Sequence, residues 1–499
     1  MNDSAEDLVL FPREPDTGLL RELGGTQGAA SGHQGNCPRV SLNSRQMVLP
    51  PPSEGDRSEH RFRFVDLFAG IGGFHHALAP LGGHCELAVE IDPDCQRVYK
   101  TAFPETRLVD DIRTITRDGD FERPLDEIAH LVGVHDVLCA GFPCQPFSKS
   151  GAQHGVRDRT RGTLFFDIMS IVLATRPEFV ILENVRNIAG PRHRDTWRTI
   201  IQSLREAGYR VADEPVVFSP HLLPRELGGT AQVRDRVFVL ARRLELDQED
   251  ERVGTDVLVE HEPVAGWAPT RWSIEDFLDD DCTIEDLARY RLRPEERCWV
   301  SAWQAFVKRI PARDLPGFPI WVDEFRGRSR LGDDLPIWKR NFIIKNRAFY
   351  RAHQETIDDW LEQRWKPLDQ RVTDFPASRR KFEWQARSLQ TTRRERDLRK
   401  LLLHFRPSGI RVRPPTYVPA LVAITQTSIV GSRMRRLTPL EAARLQGIPD
   451  HVFAAAGIDD KAAYRQLGNA VNVGVARHVA GALFRDGGRK DWAVLPDGR

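Results

Sequence analysis

Short apolar runs of strand length, each closed by glycine, proline or a polar residue, recur through the first half of the chain. FRFVDLFAGIGGFHHALAPLGG, starting at Phe62, reads as a buried strand, a glycine turn and then a helix, and CELAVEID, starting at Cys85, reads as the next strand. VHDVLCAGF, PEFVILENV and VRDRVFVLARR supply further runs of the same kind. Strands alternating with helical segments predict an α/β fold with a parallel-rich sheet covered on both faces. Ligands of such sheets bind at the carboxyl ends of the strands. FAGIGG, GFPC and ENV all fall just there, so they are expected to converge on one cleft.

After Arg243 this rhythm stops. The next stretch carries scattered tryptophans at 299, 303, 321, 338, 360, 365 and 384, with no internal repeat, and reads as a second lobe. Near the end the pattern sharpens again. In RRLTPLEAARLQGIPD, Thr438 is placed as N-cap, Pro439 as first helical residue and Glu441 as the reciprocal partner of a capping box, with Gly447 and Pro449 as the stop. YRQLGNAVNVGVARHVAGALF then reads as a Gly-Asn loop leading into an apolar helix, which returns the chain to the first lobe. The expected organisation is a flexible tail over 1–60, a first lobe over 61–243 completed by 464–486, a second lobe over 244–463, and a C-terminal tail over 487–499.

Length and composition agree with this division. A chain of 499 residues exceeds what a single core of roughly 250 to 300 residues accommodates. No apolar run approaches the ~20 residues that cross a bilayer, and MNDSAEDLVLFPREPD lacks the pattern of a signal peptide, so a cytoplasmic protein without membrane contact is expected. The seven cysteines (37, 85, 95, 139, 144, 282, 298) are odd in number and form no C-x-x-C pair, which argues for free thiols rather than a disulfide framework or a metal site. The net charge of +1 conceals a segregation: residues 244–290 hold 15 Asp/Glu against 3 Lys/Arg, and residues 371–413 hold 13 Lys/Arg against 4 Asp/Glu. The basic stretch suits a polyanion, or equally a solvated face with arginines in salt bridges.

Candidate chemistry lies at the predicted strand ends. Gly70, Gly72 and Gly73 permit either a close backbone approach by a ligand or simply a tight turn. Glu90, about 20 residues on, has the place of an acidic residue that binds ribose hydroxyls, and the absence of a full G-x-G-x-x-G favours an adenosine-containing ligand other than NAD. Asp111 is positioned for a hydrogen bond to the adenine, or for solvent. Pro-Cys-Gln-Pro holds Cys144 on a rigid turn. Glu183 ends another strand, and the alternation of Arg234 and Arg236 puts both on one face of a strand. A thiol, a carboxyl and two guanidiniums describe a reaction site or a buried ion-pair network.

FVDLFAGIGGFHHAL, GFPCQPFS, RGTLFFDI, LENV, QVRDR, RRLTPLEAARLQGIPD and LGNAV, in this order, resemble the motif series of DNA (cytosine-5) methyltransferases of the bacterial restriction-modification type. The resemblance covers 61–243 and 430–485. It implies a Rossmann-like, S-adenosylmethionine-dependent methyltransferase sheet with a second, smaller target-recognition domain. It further implies that Cys144 adds to C6 of a cytosine flipped out of the duplex, that Glu183 holds and protonates N3, that Arg236 binds O2 and that Arg234 orients Glu183. Gln145 to Gly162 resembles the family's mobile loop over the flipped base. Carried over by position, the S-adenosylmethionine site comprises Phe68, Gly70, Ile71, Gly72, Gly73, Glu90, Ile91, Asp111, Ile112, Gly141, Pro143, Leu164, Asn469 and Val471, with no metal. RRKFEWQARSLQTTRRERDLRK is the expected source of phosphate and base-edge contacts in the second lobe. The implied setting is a monomer acting on double-stranded DNA, protecting it from a cognate restriction endonuclease that it does not touch. Two rival readings are methylation of RNA by the same chemistry and a non-catalytic DNA-binding relative.

Overall fold

The computed structural model describes residues 60–143, 164–244, 253–254, 257–327, 331–332, 335–386, 396–421 and 427–495. Its first part alternates strand and helix: β1 (Phe62–Leu67), α1 (Gly73–Leu78), β2 (Gly83–Val89), α2 (Pro93–Ala102), β3 (Leu108–Val109) and α3 (Arg113–Thr116). A small hairpin, β4 (Arg117–Asp118) and β5 (Phe121–Glu122), leads to α4 (Leu125–Val132) and β6 (Val137–Ala140). Then come α5 (Leu164–Thr175), β7 (Phe179–Val185), α6 (Arg194–Glu206), β8 (Tyr209–Ala212), β9 (Val216–Phe218), β10 (Gln232–Val233), β11 (Arg236–Arg243) and β12 (Val253–Gly254). Among the described residues the main sheet has the order β12-β8-β11-β7-β6-β1-β2-β3, with β9 also on β11.

β1, β2, β3, β6 and β7 run parallel, and β11 runs antiparallel to β7, β8 and β9. The inner strands VLCA of β6 and FVILEN of β7 are buried throughout, as expected where helices cover both faces. From β1 the chain winds outward through β2 and β3, then crosses to β6 and β7 on the other side. The switch point, where ligands of such sheets bind, therefore lies between the carboxyl ends of β1 and β6.

The second lobe contains α7 (Pro294–Arg309), β13 (Ile320–Trp321), α8 (Ile337–Ala352), α9 (Gln354–Glu362), β14 (Lys381–Trp384), β15 (Leu402–Arg406), β16 (Gly409–Arg413), β17 (Val418–Pro419), β18 (Ile429–Val430) and β19 (Arg435–Arg436). A six-stranded sheet of order β13-β14-β16-β15-β18-β19 forms its floor, while β17 leaves it to pair with β10. The tryptophans find their use here: Trp299, Trp303, Trp360, Trp365 and Trp384 form the buried core with Phe306, Phe382 and Phe405.

α10 (Pro439–Gln446), α11 (His451–Ala455), α12 (Asp460–Asn469) and α13 (Val473–Asp486) complete the chain. Ala442, Ala443, Val452, Phe453, Val479 and Phe484 all belong to the hydrophobic core of the first lobe, so α10 and α11 pack with it as well as α13. The expected capping box is present: Thr438 Oγ1 accepts from Glu441 N at 3.2 Å, and Glu441 Oε2 accepts from Thr438 N at 2.8 Å. LGNAV differs from its expected loop. Asp459 caps α12 and the helix runs on through Gly468 and Asn469; the turn is confined to Ala470 and Val471 before Asn472 caps α13. Among the described residues no helix is long and apolar enough to cross a membrane, and no group of three or more His, Cys, Asp or Glu is placed to hold a metal ion. Residues 1–59 lie outside the described residues, as do Cys37, Cys144 and the loop from Gln145 to Gly162.

Candidate active site

Three of five residues after β1 adopt left-handed backbone: Phe68 (φ 58°), Gly70 (φ 57°) and Gly72 (φ 82°). Such a run costs a non-glycine residue about 1–2 kcal/mol, so Phe68 is held by its surroundings. The turn is locked from below by Glu90, at the end of β2. Its Oε2 accepts from Gly70 N at 2.8 Å and its Oε1 accepts from Asp92 N at 2.7 Å. Burial raises the pKa of this carboxyl against the pull of those hydrogen bonds.

These residues fit an adenosine-containing cofactor. A Cβ built on Gly70 meets nothing within 4 Å, so the turn opens onto space, and Glu90 keeps two further lone-pair sites for ribose hydroxyls. Ile91 beside it is 62% exposed, an apolar side chain offered to a flat partner. Asp111, after β3, is gripped by Arg113, whose Nη2 lies 2.7 Å from its Oδ2; burial tends to raise its pKa, but the Arg113 contacts prevail and hold it down. Ile71 and Ile112 are both buried, so only their backbone can face a ligand.

The other strand ends meet at Gly141. A Cβ there would lie 3.4 Å from Val471 Cγ2, 3.7 Å from Glu183 Oε2 and 3.9 Å from the Phe68 carbonyl. Four separate parts of the sequence thus converge within van der Waals reach. Gly73 shows the same crowding, since its Cβ would lie 2.6 Å from the Val471 carbonyl. Pro143 is exposed and leads directly to Cys144, Leu164 opens α5 half-buried, and Asn469 is exposed at the end of α12.

Glu183 lies on the buried part of β7 and pairs with Phe238 of β11. Because β11 is antiparallel, its start reaches the carboxyl edge of the sheet, and Arg236 becomes the diagonal neighbour of Glu183 on the same face. Arg236 Nε lies 3.1 Å from Glu183 Oε1, an ion pair without hydrogen-bond alignment, which leaves that buried oxygen free to accept. Burial raises the Glu183 pKa, and the charges of Arg236 and then Arg234 oppose it.

Arg234 and Arg236 do not share a strand face, because the chain breaks from β10 to β11 between them. Arg234 is 1% exposed, and its guanidinium donates to the carbonyls of Leu421 (3.1 Å), Gly468 (2.9 Å) and Ala470 (2.8 Å). It acts on Glu183 through charge and on Val471 through the turn it clamps. Burial, then the Arg236 charge, push its pKa down to about 9.

Asn184 was not singled out by sequence, although it stands next to Glu183 in LENV. Its side chain points to the opposite face and its Nδ2 donates to the Phe142 carbonyl at 2.9 Å, fixing the segment two residues before Cys144. A buried amide directly following the catalytic candidate was the available signal.

A doubly wound α/β sheet with a glycine turn at its switch point and a buried acid–arginine pair at the same edge places the chain among the doubly wound α/β folds. The sequence model of C-5 cytosine-specific DNA methylases matches residues 62–485, and the chain belongs to this family: it is a DNA cytosine-5 methyltransferase. It is 40% identical over 516 aligned residues to the type II methyltransferase M.AluI of Cellulosimicrobium cellulans, across 88% of this chain and 94% of the relative. It is 29% identical over 462 residues to the type II methyltransferase M.HgiCI of Herpetosiphon aurantiacus, across 85% and 98% respectively. Among solved structures, the Dnmt2 methyltransferase of S. pombe aligns over 85% of this chain and 99% of its own, with 16% identity and a TM-score of 0.43.

Proposed function

We propose that this chain methylates C5 of a cytosine flipped out of duplex DNA, with S-adenosylmethionine as donor and Cys144 as nucleophile. The observation that carries the reading is the meeting of Glu183, Phe68, Val471 and Gly141 on the segment that runs into Cys144. Bound at the glycine turn, the cofactor supplies an electrophilic methyl group. Glu90 would hold its ribose hydroxyls, Ile91 would cover its adenine, and Asp111 would accept from the adenine amino group.

The chain's own residues make cytosine reactive. The Cys144 thiolate forms a bond to C6, and the C5–C6 π pair becomes available at C5 while the ring gains a proton at N3 from Glu183. A buried carboxyl with a raised pKa keeps that proton at a pH where a solvated one has lost it. Arg236 neutralises charge building at O2. Once C5 carries the methyl group, loss of its proton to a base and departure of the thiolate restore the double bond, and Glu183 recovers the N3 proton.

The second lobe, on this reading, selects the target. The alignment with M.AluI spans 88% of the chain, so the unmatched remainder is smaller than that lobe and most of the lobe lies within the match. We take the two proteins to read the same duplex sequence, and this chain to be the protective methylase of a type II system, acting as a monomer. The test is to express the chain in cells and challenge their DNA with the restriction endonuclease of the M.AluI system. Resistance is expected for the wild type and its loss for Cys144→Ser. Cleavage of wild-type-modified DNA, with cytosine methylation mapped elsewhere, would refute the shared target; methyl transfer to RNA but not to DNA would refute the substrate.

A further inference from the structure

The second-lobe sheet has two faces of opposite character. By alternation, Phe382, Trp384, Ile410, Val412, Leu403 and Phe405 point to the core formed with α7, α8 and α9. The other face carries Glu383, Gln385, Arg411 and Arg413, which form one continuous ladder. Arg413 Nε donates to Gln385 Oε1 at 2.6 Å, the Gln385 amide donates to Glu383, and Arg411 donates through Nε to Glu383 Oε2 at 3.0 Å, with its Nη2 in an ion pair at 2.8 Å from the same oxygen.

This face is connected to the reaction site through packing and chain. Leu402 and Val430 lie on it, and they pack with Ala231, Val418 and Leu445 in a small core between the lobes. From Arg413 the chain runs five residues to Val418, which pairs with Gln232 two residues before Arg234. The ladder and the Glu183–Arg236 pair are thus ends of one connected framework.

Several arginines expected to meet DNA prove to be structural. Arg379 donates to the Arg406 carbonyl, Arg380 pairs with Asp323 at 2.7 Å, and the buried Arg396 donates to the carbonyls of Val307 and Ile310. Arg411 and Arg413 lie just beyond that segment. By alternation Arg406 shares this face with Arg411 and Arg413, so three guanidiniums stand on it with the single carboxylate of Glu383, and burial, then the charges of Arg411 and Arg406, lower the Arg413 pKa. Such a surface seeks an anion or a row of acceptors.

We infer that this ladder is the base-reading surface of the enzyme: Arg413, steered by Gln385, reads a guanine in the major groove of the target duplex, and Gln385 with Arg411 reads its neighbours. The inference rests on the duplex-DNA methyltransferase reading above. Its chemistry is that of strands laid in a major groove, where arginine matches the O6 and N7 acceptors of guanine and glutamine matches adenine. Sideways buttressing leaves the Arg413 Nη groups to face the base, already oriented.

The test uses the full-length enzyme and a duplex library randomised around the target cytosine, with methylated products sequenced. Arg413→Lys keeps the charge but loses the fork, and Gln385→Ala removes the buttress. Each is expected to lower discrimination at one base pair by about ten- to a hundred-fold while methylation of the altered sites persists. Unchanged discrimination in both variants, or a uniform loss on all sequences, would overturn the assignment. As a check that needs no variant, duplexes carrying 5-iodouracil at successive target positions are photo-crosslinked to the wild type. The crosslinked peptide is expected within 381–386 or 409–413, and its location elsewhere would overturn the assignment. Failure of the wild type to methylate any duplex would instead strike the function itself.

Discussion

On the proposed mechanism Glu183 holds a proton in the resting enzyme and gives it to cytosine, and two opposed forces set that balance. Burial raises its pKa and Arg236, 3.1 Å away, lowers it. If the protonated carboxyl is the active form, kcat/KM falls as pH rises through the Glu183 pKa. Arg236→Gln removes the lowering charge, so the pKa rises and the alkaline limb moves to higher pH. Meanwhile the rate itself drops by about 10²- to 10³-fold through lost stabilisation at O2. Stability follows the same sign: a carboxyl whose folded pKa is raised lends stability below its unfolded pKa that disappears as pH rises through the folded one. A pH–rate profile of the variant whose alkaline limb stays fixed or moves down would dismiss Glu183 as the proton donor.

At the scale of elements, α10 shows what local sequence specifies and what it does not. Its cap, first-turn proline and C-terminal glycine were legible because each acts within four residues. Its partner was not: Glu441, fully buried, also receives two hydrogen bonds from the buried Arg435, at 2.9 and 2.8 Å. The two roles separate in measurement. Thr438→Ala loses a cap and is expected to cost about 1 kcal/mol, whereas Glu441→Ala takes from a buried guanidinium the more buried of its two carboxylate partners, leaving it Asp281, and is expected to cost about 3 kcal/mol. Thermal melts of equal depression for the two variants would show that Asp281 alone suffices to hold Arg435. The same division runs through the molecule. The strands and the glycine turn were readable from periodicity, and the strand-end motifs expected to converge do meet at Gly141. The break between Arg234 and Arg236, the clamp of Arg234 on the turn at Ala470, and the hold of Asn184 on Phe142 were not, because each depends on a partner tens to hundreds of residues away.

Across the whole molecule, charge segregation and chain return serve one purpose, the fastening of two lobes to each other. The acidic stretch is spent on the segment that re-enters the first lobe: Asp281 pairs with Arg435 at 2.8 Å, Asp279 with Arg444 at 2.7 Å, and Glu275 accepts from Ser432 at 2.6 Å. Beyond it, α13 supplies Val475, Val479, Leu483 and Phe484 to a core shared with β1 and β7, and Trp492 stacks on Phe62 at 5.0 Å. The first lobe therefore lacks part of its interior until the end of the chain arrives. A fragment of residues 60–244 is expected to expose that surface, bind a hydrophobic dye and show no cooperative melt. Joining it to residues 437–495 through a flexible linker restores the missing helices, so the fused protein is expected to melt cooperatively and bind S-adenosylmethionine by calorimetry. Without the base-reading sheet it should methylate no duplex site selectively. Cofactor binding and a cooperative transition in the 60–244 fragment alone would show that the returning segment is an accessory, and that the two lobes are fastened by something other than a shared core.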